Sequence, residues 1–113
     1  MPGVSIHVVD VSRGIVAAGM RVELLYEGKR IADGVVSAKG LLEENALAAL
    51  FSPGAYEAVF HVAPWYREQQ VALPAVPFLD VVRYRFGISD PQQHIHLPFK
   101  CTPWGYSCFR GGA

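Results

Sequence analysis

The stretch HIHLPFKCTPWGYSCFRGGA, residues 94–113, decides how this chain is read. His94 and His96 stand on alternate positions of an apolar run. Side chains two apart on a strand share a face, so both imidazoles point the same way. Terminal segments commonly fray because nothing ties them down. One this apolar is expected to be packed and to form part of a site.

Upstream, short runs rich in Val, Ile, Tyr and Phe recur between Gly, Pro, Asp and Asn, the pattern of an antiparallel sandwich or barrel. Eight candidate strands follow: VSIHVVDV (4–11), MRVELLYE (20–27), KRIADGVV (29–36), LLEENA (41–46), GAYEAVFHV (54–62), LDVVRYRFGI (79–88), HIHLPFK (94–100) and GYSCFRG (105–111). Val82, Tyr84, Phe86 and Ile88 alternate with Val81, Arg83 and Arg85, which predicts one buried and one wet side. Pro64 suits the first turn of a helix, and Pro74 and Pro77 are expected to end it. With 113 residues, 51% of them hydrophobic, the chain is expected to be one domain over residues 1–113, an all-β sandwich of two sheets with one short helix.

The net charge is zero and the ten cations are scattered, which speaks against nucleic acid as a partner. No leader pattern and no membrane-length apolar stretch is visible, so a cytoplasmic protein with no membrane partner is expected. Cys101 and Cys108, seven apart, form no CxxC pair and read as two buried apolar thiols.

Four histidines carry the chemistry: His7, His61, His94 and His96. Each reads, in the plainest case, as a partly buried residue satisfied by a hydrogen bond. A second reading takes His94 and His96 as an HxH metal pair with His7 as third ligand. No carboxylate or Cys falls at a telling spacing to support it. In a third, histidines with near-neutral pKa activate water without metal or cofactor. Residue types and spacing do not rank the last two.

HIHLPFKCTPWGYSCFRGG resembles the carboxy-terminal signature of the transthyretin-like 5-hydroxyisourate hydrolases. In that family a His-x-Pro segment precedes Ser-Pro-Tyr-Gly-Tyr-Ser, and the chain ends in Tyr-Arg-Gly-Ser. HVVDVSRGIVAAGMRVELL, FSPGAYEAVFHVAPWYREQ and RYRFGISDPQQHIHLP look like the family's other strands and short helix, in the same order and spacing. The resemblance implies a transthyretin-like (prealbumin-like) eight-stranded antiparallel sandwich. It also implies a homotetramer, a dimer of dimers, with active sites in a channel where dimers meet and the last strand lining it.

The resemblance implies catalytic roles for His7, in its His-Val-x-Asp setting, and for His96, two before the proline. His94 supports the hairpin and is not implied as a catalyst. The family's Thr-Asn-x-Asp-Gly-Arg loop falls on VSAKGL, so its arginine becomes Leu41. In the tail, Phe109 replaces Tyr, Arg110 and Gly111 remain, and Gly112 replaces Ser. Lys100, on the face of His96 by alternation, is a candidate to compensate for the missing cation, with Lys39 and Arg30 as weaker ones. Lys lacks the planar fork of Arg, so it would not recreate bidentate recognition. Arg110 is expected to tie the tail in place or to meet the substrate, with Leu41, Phe109 and Gly111 beside it.

The function implied is hydrolysis of a small heterocycle, 5-hydroxyisourate of purine catabolism or a related cyclic ureide or amide. Water would sit between His7 and His96, with no metal and no cofactor. The alternative is an altered or non-hydrolytic homologue that binds a different small heterocycle in the channel.

Overall fold

Alternation along Val4–Asp10 (β1) starts the sandwich: Val4, Ile6, Val8 and Asp10 are buried, while Ser5, His7 and Val9 face the other way, half-covered. The structure is a computed structural model that describes residues 2–49 and 51–112. The further strands are Ile15–Val16 (β2), Arg21–Tyr26 (β3), Lys29–Val35 (β4), Gly54–His61 (β5), Val81–Ile88 (β6), Ile95–Thr102 (β7) and Gly105–Cys108 (β8), with one helix, Val62–Glu68 (α1). They form two four-stranded sheets, β2-β1-β7-β8 and β4-β3-β5-β6. Ile6, Val8, Leu97 and Phe99 of the first sheet and Val22, Leu24, Ala58 and Phe60 of the second are all within 1% of full burial. Each of the larger of these side chains contributes about 1.5–3 kcal/mol by leaving water. Phe60 and Phe99 stack between the sheets, ring centroids 3.8 Å apart and 6° from parallel.

Pairing is antiparallel except between β1 and β7, which run parallel and align Ser5 with His96, His7 with Pro98 and Val9 with Lys100. The outward faces of both strands therefore merge into one surface. On β6 the burial follows the expected alternation, with Val82 and Ile88 inward and Arg83 and Arg85 outward.

Three local expectations are corrected. LLEENA is not a strand: Leu41 and Leu42 make single bridges to His7 and Val36, and Asn45–Ala48 then coils into a 3-10 turn that buries Leu47. Asn and Ala are poor strand formers, and the apolar anchor is Leu47. The eighth strand is instead the two-residue Ile15–Val16, too short to show alternation, which pairs with Val9 and Asp10. Finally, α1 ends before Pro74. Gln70 adopts a left-handed φ of 59°, with Gln70 N–H bonded to Arg67 O and Val71 N–H to Tyr66 O, both at 3.0 Å. That is a Schellman turn with Gln in the place glycine usually takes.

The helix is fastened by its buried side. Trp65 Nε1 donates to Ala18 O at 2.8 Å, and the Tyr66 hydroxyl donates to the buried Asp10 carboxylate at 2.7 Å. Asp10 also receives Ser12 N–H, Ser12 O–H and Arg13 Nε. Burial alone would raise the Asp10 pKa, but these donors outweigh it and hold it below the ordinary carboxylate value. Cys101 is buried and Cys108 half-buried; neither is in a disulfide, and burial pushes both thiols up to about 11. Among the described residues no helix is long and apolar enough to cross a membrane.

Candidate functional site

His7 projects from the middle of β1 onto the outer face of the β2-β1-β7-β8 sheet, at the level of Pro98. Beside it runs the segment 40–42, held by Val8 N–H to Gly40 O at 2.9 Å and Leu42 N–H to Ile6 O at 3.1 Å. A turn delivers this segment: Gly40 N–H bonds to Ser37 O at 2.9 Å, and Gly40 has a φ of +83°. Its missing side chain matters, since a Cβ on Gly40 would lie 2.7 Å from His7 Nε2. Leu41 bridges His7 in antiparallel fashion, so its side chain stands on the imidazole's face. The position implied for an arginine is thus next to His7, and it is apolar.

His96 lies one step along the same face, opposite Ser5. The tail crosses it: Gly111 N–H bonds to His96 O at 2.7 Å, and a Cβ on Gly111 would come within 2.8 Å of His96 Cδ2. Arg110 Nη2 donates to Gln93 Oε1 at 3.1 Å, tying the tail to the turn before β7. The Ser5 hydroxyl lies 2.6 Å from His96 Nδ1 and 2.8 Å from His94 Nε2, linking the two histidines. The His96 pKa is lowered, first by burial and then by the neighbouring charges of His7 and His94. A neutral imidazole is the form that accepts a proton.

The cations implied as substitutes are differently placed. Lys100 faces outward between Val9 and Ser107, and its Nζ sits 5.6 Å from the Phe109 ring centroid. Arg30 is on the other sheet, paired with Glu23 at 3.1 Å and Asp33 at 3.4 Å. Lys39 is exposed on the turn before Gly40. His61 is apart as well, its Nε2 2.6 Å from Glu23 Oε2. Gly112 is exposed, with nothing within 4 Å of a Cβ there. Among the described residues no three His, Cys, Asp or Glu side chains come together as a metal-ligand set, His7, His94 and His96 included.

Ser5, Gly40 and Gln93 were not among the residues singled out from the sequence. Ser5 does alternate with His7, but only the parallel β1–β7 register brings it to His96. A groove of about 470 Å³, lined by Val4, Leu42, Glu43, Glu44, Leu47 and His94 among others, reaches His94 but is not lined by His7 or His96.

Known proteins carry the same arrangement of strands. A 5-hydroxyisourate hydrolase of Deinococcus radiodurans is 40% identical over 120 residues, covering 97% of this chain and 96% of that protein. The crystal structure of (S)-allantoin synthase superposes with a TM-score of 0.89 at 29% identity, over 97% of this chain but only 43% of that one. The structure of Klebsiella pneumoniae 5-hydroxyisourate hydrolase superposes at 0.85, also at 29% identity, over 99% of this chain and 100% of that one. The model of the HIUase/Transthyretin family matches residues 4–111, from the first strand through the tail that crosses His96. By the order of its strands, its full-length relatives and this match, the chain belongs to the HIUase/Transthyretin family.

Proposed function

We propose that this protein hydrolyses 5-hydroxyisourate, a small cyclic ureide of purine catabolism. The observation that carries the reading is the pair His7 and His96 on one outer sheet face, each with a glycine of a neighbouring segment against its ring. The full-length hydrolase relatives support it. Water held between the imidazoles attacks a ring carbonyl. One histidine takes the water's proton as the C–O bond forms, and the other gives a proton to the ring nitrogen as the C–N bond breaks. Assistance of this kind is worth roughly 10² to 10⁴ in rate.

A second copy of the chain closes the site, in a homotetramer built as a dimer of dimers. The histidines stand on an outer sheet face, β6 and β8 are sheet edges, and Phe78 and Trp104, exposed by 76% and 60%, lie together with ring centroids 6.4 Å apart. Large exposed apolar side chains grouped in this way are costly to leave in water. Sedimentation velocity tests the assembly: a lone chain at assay concentration would count against it.

One observation favours a second reading, an altered homologue that acts on or binds another small heterocycle. Leu41 stands beside His7 where the family carries arginine, and a lost donor of this kind costs about 2.7–4 kcal/mol. Stopped-flow ultraviolet absorbance separates the two, following 5-hydroxyisourate generated in situ from urate. Acceleration that is lost in His96→Ala supports hydrolysis; a folded protein that gives none leaves the altered homologue.

A further inference from the structure

Among the described residues the Ser5 hydroxyl is the one polar group that touches both His94 and His96, at 2.8 Å and 2.6 Å. A hydroxyl has one proton to give and lone pairs to receive, so between two ring nitrogens it donates to one and accepts from the other. Which way it points is decided at the far end. His94 Nδ1 lies 3.5 Å from Pro2 O, a long contact, but a backbone carbonyl only accepts. In neutral His94 the proton then sits on Nδ1, leaving Nε2 bare and able to receive the Ser5 proton. The Ser5 oxygen in turn accepts from His96 Nδ1.

We infer that Ser5 and His94 are positioning residues that hold neutral His96 in its Nδ1–H form, leaving the lone pair on Nε2 as the base for water. This rests on the hydrolytic reading above and assigns its roles. The bond forming at the ring carbonyl sends the water's proton to His96 Nε2, and the proton for the departing ring nitrogen comes from His7. A free histidine side chain prefers the Nε2–H form, which would present a donor to water instead of a base. The chain Pro2, His94, Ser5, His96 imposes the other tautomer, as the orienting partner of a functional histidine commonly does.

The test reads the tautomer itself. Long-range proton–nitrogen correlation spectra of the ¹⁵N-histidine-labelled full chain, without substrate, at a pH where the histidines are neutral, should show His96 Nδ1 protonated and Nε2 bare. Ser5→Ala should move His96 toward Nε2–H and lower kcat about 10- to 100-fold with little change in KM, the usual scale for removing an orienting partner of a histidine. Ser5→Thr should restore both. His94→Phe, which removes the acceptor of the Ser5 proton, should shift the tautomer as Ser5→Ala does, and it guards against a Ser5 variant that folds poorly. Wild-type His96 in the Nε2–H form, or a tautomer indifferent to Ser5→Ala and His94→Phe, overturns the inference. Because the spectra need no turnover, they stand apart from the hydrolysis assay, whose failure would strike only the proposed reaction.

Discussion

Gly40 and His7 are in contact so close that only glycine fits: a Cβ at residue 40 would stand 2.7 Å from Nε2 of the imidazole and 2.8 Å from Val16 Cγ1. The residue also sits at a φ of +83°, which L side chains rarely adopt. Gly40→Ala should therefore cost about 1–3 kcal/mol in backbone strain. By pushing the His7 ring aside it should also lower turnover about 10²-fold, the effect of a misplacement near 1 Å. Urea unfolding and steady-state rates on one preparation check both; a variant with wild-type turnover would free His7 from any need of this seat.

Leu41→Arg should raise kcat/KM on 5-hydroxyisourate. Residue 41 shares the face of His7, so an added guanidinium reaches the same surface. A donor restored to developing negative charge is worth up to about 10²- to 10³-fold. Gly112→Ser, at a position with open space around it, should add to this effect. Unchanged rates in the double variant would mean that the chain meets its substrate by other groups.

The pH dependence has a definite sign. His96 has a pKa below the ordinary 6.5, from burial and then from the charges of His7 and His94, so the acid limb of turnover should lie below that value. His94→Gln removes one of the like charges and should move the limb up. Stability follows the same group. The unfolded chain takes up the proton first, so the contribution of His96 is intact above 6.5 and declines as pH falls from there through the lowered folded value. Rate profiles and urea midpoints from pH 5 to pH 8 check this, about 5 to 8 being the span over which a histidine titrates; a limb above 6.5 would contradict it.

Asp10→Ala should destabilise the fold by about 3–5 kcal/mol, because it strips the charged partner from Arg13 and the acceptor from the buried Tyr66 hydroxyl. The wild-type carboxylate has a pKa held below the ordinary 3.8, so its contribution is present above that value and is lost as pH falls through the lowered one. Asp10→Asn should flatten that loss. Denaturant midpoints at neutral and acid pH decide it; an acid sensitivity equal in Asp10→Asn and wild type would remove Asp10 as its source.

Strands with strong alternation were readable along the chain, and β1 and β6 show why: one burial period of two, sustained over seven and eight residues. The two-residue β2 shows no period, and the Leu41–Leu42 pair looks like a strand until Leu47 takes the core position beyond it. The placing of His7 and His96 on one surface followed from family likeness, since alternation alone does not say which strands are neighbours. Ser5 stayed hidden for that reason. Its partner lies across a parallel pairing that no local pattern announces. Lys100 shares the expected face, yet the register sets it four residues beyond His96 and against Phe109.

The pairing of β1 with β7 also has a bearing on time. Strands β3 to β6 are consecutive in the chain, between residues 21 and 88, and make a whole sheet among themselves. Ser5 and His96 are separated by 91 positions, and their sheet needs segments from both sides of that stretch. Closing so distant a contact costs entropy before it gains any stabilisation, which slows its formation. The order expected during folding is the local sheet first and the histidine-bearing sheet laid over it afterwards. A chain still emerging from the ribosome, with residues up to 88 free, would own a nearly finished half of the sandwich and no site at all. Appearance of activity is thus a clock for the last step of folding, and it should lag behind the pairing of strands β3 to β6.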